Sequence, residues 1–165
     1  MQTIHKGRFT TQTDSDFVVF LIGMRINKFW KLWKWLPVFM AMPFMLQRLM
    51  KDKKSGLLHS QLVFYWRGVG CIQYWDSFEN LERFALNPQD LHVKAWSKYR
   101  KNVGSSGDVG IWHETYLVDK GNFETLYANM PTWGLGNGFT PIVITPETDT
   151  AKLRLRKPSS RLKEG

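Results

Sequence analysis

The sequence predicts an α+β fold of the ferredoxin-like βαββαβ plan, an antiparallel sheet with helices on one face. Three observations lead there. Four runs rich in β-branched and aromatic residues (17–27, 57–66, 71–75 and 109–118) have strand composition. Helical patterning separates the first from the second and the third from the fourth. Only a short glycine-containing turn separates the second from the third, so those two form a hairpin between two helical crossovers.

Each element has its own signals. Residues 17–27 (FVVFLIGMRIN) are almost continuously apolar, as expected of a central strand buried on both faces. In residues 28–52, Phe29, Leu32, Trp33 and Leu36 recur at helical spacing, and Pro37 and Pro43 predict a kinked helix or two short ones. Residues 53–56 (KKSG) end it. Strand 57–66 leads through Gly68-Val69-Gly70, read as the hairpin turn, into strand 71–75. Asp76 or Ser77 caps a helix reaching Leu86, and Asn87-Pro88 breaks it. A further helix over 89–102 carries His92, Ala95, Trp96 and Tyr99 along one face. After the GSSG link at 104–107 comes the fourth strand, Val109–Val118, then a turn at Lys120-Gly121-Asn122 and a short helix over 123–129. Residues 1–16 read as a frayed terminus and 141–145 as a short strand. Residues 1–146 are thus expected to form one domain, with 147–165 a basic, flexible tail.

Composition narrows the function. The 165 residues carry a net charge of +9, concentrated in residues 25–54 and in the tail. Nucleic-acid binding is not expected, because the basic residues are not interleaved with aromatics on one strand face. Cys71 is the only cysteine, which excludes an intrachain disulfide and a cysteine-based zinc site. The opening residues lack the apolar core of a signal peptide, and a reducing, cytoplasmic setting is expected. Eight Trp, eleven Phe and seven Met suit an apolar pocket or an extensive interface.

The candidate chemistry lies in His113-Glu114-Thr115-Tyr116. Strand alternation puts Ile111, His113, Thr115 and Leu117 on one face and Trp112, Glu114, Tyr116 and Val118 on the other. His113 is the first candidate base and His92 the second; Glu114 is expected to salt-bridge Arg25 across the sheet. No second ligand follows His113 at zincin spacing, so no metal site is expected. Gly134, Gly136 and Gly138 follow no strand and open no helix pattern, which excludes a dinucleotide fingerprint. Trp30, Trp33 and Trp35 alternate with Lys28, Lys31 and Lys34, a pattern suited to peripheral contact with a membrane surface. The uncharged stretch that follows is shorter than a bilayer span.

Several fragments together resemble the DUF4188 group of monooxygenase-like proteins. They are Gly23-Met24-Arg25-Ile26-Asn27, Trp75-x-Ser77-x-x-x-Leu81-x-x-Phe84, His92-x-x-Ala95-Trp96, Gly110-Ile111-Trp112-His113-Glu114-Thr115-Tyr116, and Phe123-Glu124-x-x-Tyr127-x-Asn129-Met130-Pro131-x-x-Gly134-Leu135. The group lies in the dimeric α+β barrel superfamily, with the antibiotic-biosynthesis monooxygenases and, more distantly, the haem-containing aldoxime dehydratases and chlorite dismutases. The resemblance implies a homodimeric α+β barrel and a monooxygenase- or dehydratase-like enzyme acting on a small hydrophobic molecule. His113 or His92 would then remove a proton in a cofactor-free reaction, or His113 would be the axial ligand of a haem. Trp96, Trp112, Tyr116 and Arg25 are the expected substrate-binding residues. The alternative class is a non-catalytic protein that binds a hydrophobic ligand or sits on a membrane surface.

Overall fold

The computed structural model describes residues 3–52, 54–87 and 91–155, with side chains there except at 41, 42, 44, 45, 48, 91–95 and 98. In chain order the elements are β1 (His5–Thr11), β2 (Phe17–Ile26), α1 (Leu32–Lys51), β3 (Leu57–Tyr65), β4 (Gly68–Trp75), α2 (Phe78–Leu86), α3 (Leu91–Asn102), β5 (Val109–Val118), β6 (Tyr127–Met130), β7 (Pro141–Val143) and α4 (Ala151–Arg154), with 3-10 turns at Gly134–Asn137 and Pro146–Thr148. The main sheet runs β3-β4-β2-β5, with every neighbouring pair antiparallel. That is the ferredoxin-like order, with β2 and β4 inside and α1 to α3 in the crossovers.

Alternation divides the β2 side chains between two layers. Met24 and Ile26 join Val69, Val103 and Val109 beneath Trp35, Val38 and Phe39 of α1, and Val18 joins Trp75, Leu49 and Leu81. The even-numbered residues of β2 therefore face the helices. On the opposite face, Phe17 packs with Tyr74 and Leu135, flanked by Phe123 and Phe139. Central β2 is buried from both sides at its ends, as its apolar run requires.

α1 is one helix through both Pro37 and Pro43 rather than two. Each proline removes a backbone bond, and the packing of Trp35, Val38, Phe39 and Leu49 on the sheet offsets that loss. α2 begins as its sequence predicts, with the Ser77 Oγ accepting from the Asn80 N–H at 3.3 Å.

The hairpin turn sits earlier than expected. Trp66 and Arg67 make it, and Gly68 and Gly70 belong to β4. A Cβ at Gly68 would lie 2.1 Å from the Met24 carbonyl oxygen and 2.7 Å from the Tyr65 ring, so glycine is required by close approach rather than by a turn. Gly68→Ala is expected to cost about 1–3 kcal/mol through overpacking, read as a lowered thermal midpoint. Arg67 holds the turn at φ +68. Its Nε donates to the Ile26 carbonyl at 3.0 Å, a terminal nitrogen donates to the Asn27 carbonyl at 2.6 Å, and its guanidinium lies 4.9 Å from the Phe29 ring centre. These contacts offset the backbone strain.

Three sequence expectations change. Residues 5–11 are not frayed: they form β1, the middle strand of a second sheet ordered β6-β1-β7, with Thr10 and Thr11 buried. Residues 123–129 form no helix, and Tyr127–Met130 pairs with β1 as β6. The Thr125 hydroxyl pins that segment by accepting from the Thr11 N–H at 2.8 Å and meeting the Thr10 hydroxyl at 3.1 Å. Within the stretch read as a tail, α4 places Arg154 in a buried position. There it donates to Glu124 at 2.8 Å and to the carbonyls of Thr148 and Asp149 at 2.9 and 2.8 Å.

An ion cluster around the buried Asp108 ties the segment that leads into α1 to the loop before β5. The Asp108 side chain meets the ammonium groups of Lys28 and Lys31, each at 2.9 Å. Lys31 first, and then Lys28, hold its carboxyl well below the usual carboxylate range against the opposing effect of burial. Stability from a depressed carboxylate is complete above the unfolded-state value, about 3.9 for Asp, and is lost as pH falls from there toward the folded value. Asp108→Asn is therefore expected to lower the thermal midpoint at neutral pH. It should also flatten the fall of that midpoint below about pH 4, in melts across an acid series.

Candidate active site

β5 carries the residues of interest, and its pairing with β2 places them. Ile22 lies opposite His113, Phe20 opposite Thr115, Leu21 opposite Glu114 and Gly23 opposite Trp112. His113 and Thr115 thus share the helix-facing side with Phe20 and Ile22. The ring of His113 is 5.7 Å from that of Phe20, tilted by 42°.

Phe20 and Ile22 are at the middle of a central strand on the face that helices cover, yet both are only half-buried, while Val18 and Met24 are buried. The helical layer therefore leaves the β2–β5 half of this face partly open, at Phe20, Ile22, His113 and Thr115. Beside it on β3 and β4 lie Ser60, Cys71 and Gln73, all buried. The Gln73 Oε1 accepts from the Trp75 indole N–H at 3.1 Å, and the Ser60 hydroxyl is buried beside the Cys71 thiol. Burial pushes the Cys71 thiol up to about 12, so it is a packed thiol and not a nucleophile. The His113 imidazole makes no hydrogen bond among the described residues, which leaves a nitrogen free to take a proton or to ligate a metal.

The other side of β5 is a separate surface. The Trp112 indole N–H donates to the Tyr65 hydroxyl at 2.8 Å, and that hydroxyl donates to the Met24 carbonyl at 2.6 Å, across the space left by Gly23, Gly68 and Gly70. Tyr116 donates to the Glu114 carboxylate at 2.5 Å, and this acceptor raises the phenol above its ordinary value, keeping it a donor. Glu114 pairs with Tyr116, not with Arg25, which lies opposite Gly110, four residues along β5. Arg25 is exposed on the same side as Trp112 and Tyr116. The sheet thus stands between His113 and the trio Trp112, Tyr116 and Arg25, and one pocket cannot hold them all.

Trp96 is on α3, exposed, and stacks on Tyr99 at 5.3 Å; the Tyr99 hydroxyl donates to the Val109 carbonyl at 2.9 Å. His92 falls within α3, but its side chain lies outside the described residues. His59 has a structural contact, its Nε2 3.2 Å from the Asn137 amide, and burial lowers its pKa. Among the described residues no group of three His, Cys, Asp or Glu side chains is placed to hold a metal ion. A groove of about 840 Å³ lies elsewhere, where Asp52, Lys54, Asn80 and Arg83 join Leu49 and Phe84 between the end of α1 and α2. Its charged walls suit solvent better than an apolar substrate, and it does not include His113.

Haem is the group that the family resemblance implies. Among the described residues His113 supplies an uncommitted imidazole beside the Phe20 ring, while the Cys71 thiol is held protonated, so there a haem would be held through His113.

Sequence reasoning missed Phe20, Ile22, Ser60 and Gln73. Their side of the sheet follows from alternation, but their nearness to His113 needs the β2–β5 and β2–β4 registers.

Strand order, crossover helices and one sheet face beneath helices define an α+β protein of the ferredoxin-like class. Residues 17–135 match the family model described as monooxygenase af470-like, and the chain belongs to that family. Every motif that carried the resemblance to monooxygenase-like proteins falls within that span. Monooxygenase af470 of Aspergillus fumigatus is 34% identical over an alignment of 98 residues that covers 54% of this chain and 33% of that protein. A crystal structure of aldoxime dehydratase OxdRE in complex with butyraldoxime superposes with a TM-score of 0.66 at 14% identity, over 81% of this chain and 40% of that one. SnoaB, a cofactor-independent oxygenase from Streptomyces nogalater, superposes at 0.45 and 10% identity, over 62% of this chain and 92% of that one. The chain thus spans a third of the matched monooxygenase and two fifths of the dehydratase.

Proposed function

We propose that this chain is the ferredoxin-like unit of an oxidoreductase of the monooxygenase kind, which holds a small hydrophobic molecule on the partly open β2–β5 half of the helix-facing side of the sheet. One observation carries the reading: Phe20 and Ile22 stay half-buried at the centre of the helix-facing surface, beside the His113 imidazole, which makes no hydrogen bond among the described residues. His113 then removes a proton from the bound substrate, and Phe20 and Ile22 hold its apolar body. If haem is resident, His113 would hold it through an imidazole nitrogen, and the group would supply iron-centred oxygen or dehydration chemistry when bound. Support for the reading comes from the family and from this partly open face.

The opposite face has a different role in this reading. Tyr65, Trp112 and Tyr116 are exposed there, and residues 112–117 of edge strand β5 are exposed on both sides. A second copy packed on that face buries the aromatics and makes a homodimer. The buried, unpaired Cys71 is compatible with a reducing, cytoplasmic setting.

The exposure of His113 favours a second reading, a non-catalytic carrier of a hydrophobic ligand. Absorbance spectra during a haemin titration, alongside oxygen uptake with a panel of acidic phenols, separate the possibilities. A Soret band saturating at one haem per chain supports the haem route. Oxygen uptake with a flat spectrum supports the cofactor-free route. Phenol binding with neither signal leaves the carrier.

A further inference from the structure

We propose that the outer face of α1, together with the tip of the β3–β4 hairpin, docks this protein on an anionic lipid surface. α1 is apolar on both sides. Its inner face, Trp35, Val38 and Phe39, packs on the core, while Leu32, Trp33, Leu36 and Met40 are exposed on the outer face. A helix with apolar residues all round is normally buried, so the outer face has an occupant to find. Trp30 and Trp33 are 70% and 67% exposed, an unusual cost in water for the largest apolar side chains.

The hairpin extends this patch. Phe64 and Trp66 are 71% and 84% exposed at its tip. Arg67, the next residue, joins the tip to the start of α1: it bonds the Ile26 and Asn27 carbonyls and lies over the Phe29 ring. Aromatics from two distant segments therefore lie at one end of the molecule.

Charge selects the occupant. From residue 17 to residue 51 there is no Asp or Glu, against Arg25, Lys28, Lys31, Lys34, Arg48 and Lys51, and residues 57–75 also lack an acid. Asp108 is the acid that meets this group, and it is buried, with one carboxylate answering both Lys28 and Lys31. The end of the molecule that exposes its tryptophans is thus also cationic. A second copy would bring the same charge to the contact and repel it; anionic headgroups neutralise it while their acyl chains receive the tryptophans. Among the described residues no helix is long and apolar enough to cross a membrane, so α1 lies in the plane of the surface. This inference is independent of the chemistry at His113.

The test is co-sedimentation of the full chain with large vesicles, either phosphatidylcholine alone or with about one third phosphatidylglycerol, at low and high salt. The chain is expected to sediment with the anionic vesicles and to release at high salt. Trp30→Ser with Trp33→Ser should weaken binding about tenfold or more, with an unchanged thermal midpoint because both side chains are exposed. Absence of sedimentation at low salt overturns the proposal, as does equal binding to phosphatidylcholine alone or equal binding by the double variant. Sedimentation velocity without vesicles supplies a further check: a dimer that dissociates in the double variant would assign this face to a second copy instead.

Discussion

Trp75→Ala is expected to lower the unfolding free energy by about 3–5 kcal/mol, the cost of emptying a fully buried indole site. Trp75 is 0% exposed, packed among Val18, Leu49 and Leu81, with the Phe84 ring 5.6 Å away. Those residues come from β2, α1 and α2, so the cavity would open where sheet and helices meet and could not collapse by moving one element. The lost indole N–H also leaves the Gln73 Oε1 without its donor in a buried position, adding about 1–3 kcal/mol. For a chain of this length the core term alone predicts a fall in thermal midpoint of roughly 6–20 °C by calorimetry. Trp75→Phe should fall between wild type and alanine, because it keeps the ring but not the donor. A midpoint unchanged in the alanine variant would mean that helices and sheet do not share this core.

His113→Ala is expected to leave stability within about 0.5 kcal/mol of wild type, since the side chain is exposed and makes no hydrogen bond among the described residues. Its effect belongs to chemistry: loss of a general base should lower turnover about 10²–10⁴-fold with little change in substrate affinity. In the haem case the same variant loses the Soret band. Equal turnover in variant and wild type removes His113 from the mechanism. A large fall in thermal midpoint with a proportionate loss of activity would instead make the imidazole a packing residue. Measuring the midpoint beside the rate, on the same preparation, separates these outcomes.

Much of the architecture was legible in the residues. Residues 17–27 read as a doubly buried strand because a side chain on either face has to be apolar, and β2 is that strand over Phe17–Ile26. The Ser77 cap and the hairpin pairing are local events, set by a few adjacent residues, and both form close to where expected. Gly68 and Gly70 misled because glycine serves a tight turn and a close approach equally well, and only the position of the Tyr65 ring over the strand distinguishes them. The site was legible in half. Alternation correctly separated His113 from Trp112 and Tyr116, but the expectation of one pocket from both sets overlooked that separation.

By itself the sequence determined the strands and helices of the main sheet, the hairpin, and which β5 side chains share a face, because periodicity and capping act over a few residues. Only the tertiary structure decided that residues 5–11 and 127–130 form a second sheet, that Arg154 is drawn inside, and that Phe20 and Ile22 lie beside His113. Those outcomes depend on pairing between segments up to about a hundred residues or more apart, and a short segment carries no record of the distant partner that will satisfy its hydrogen bonds.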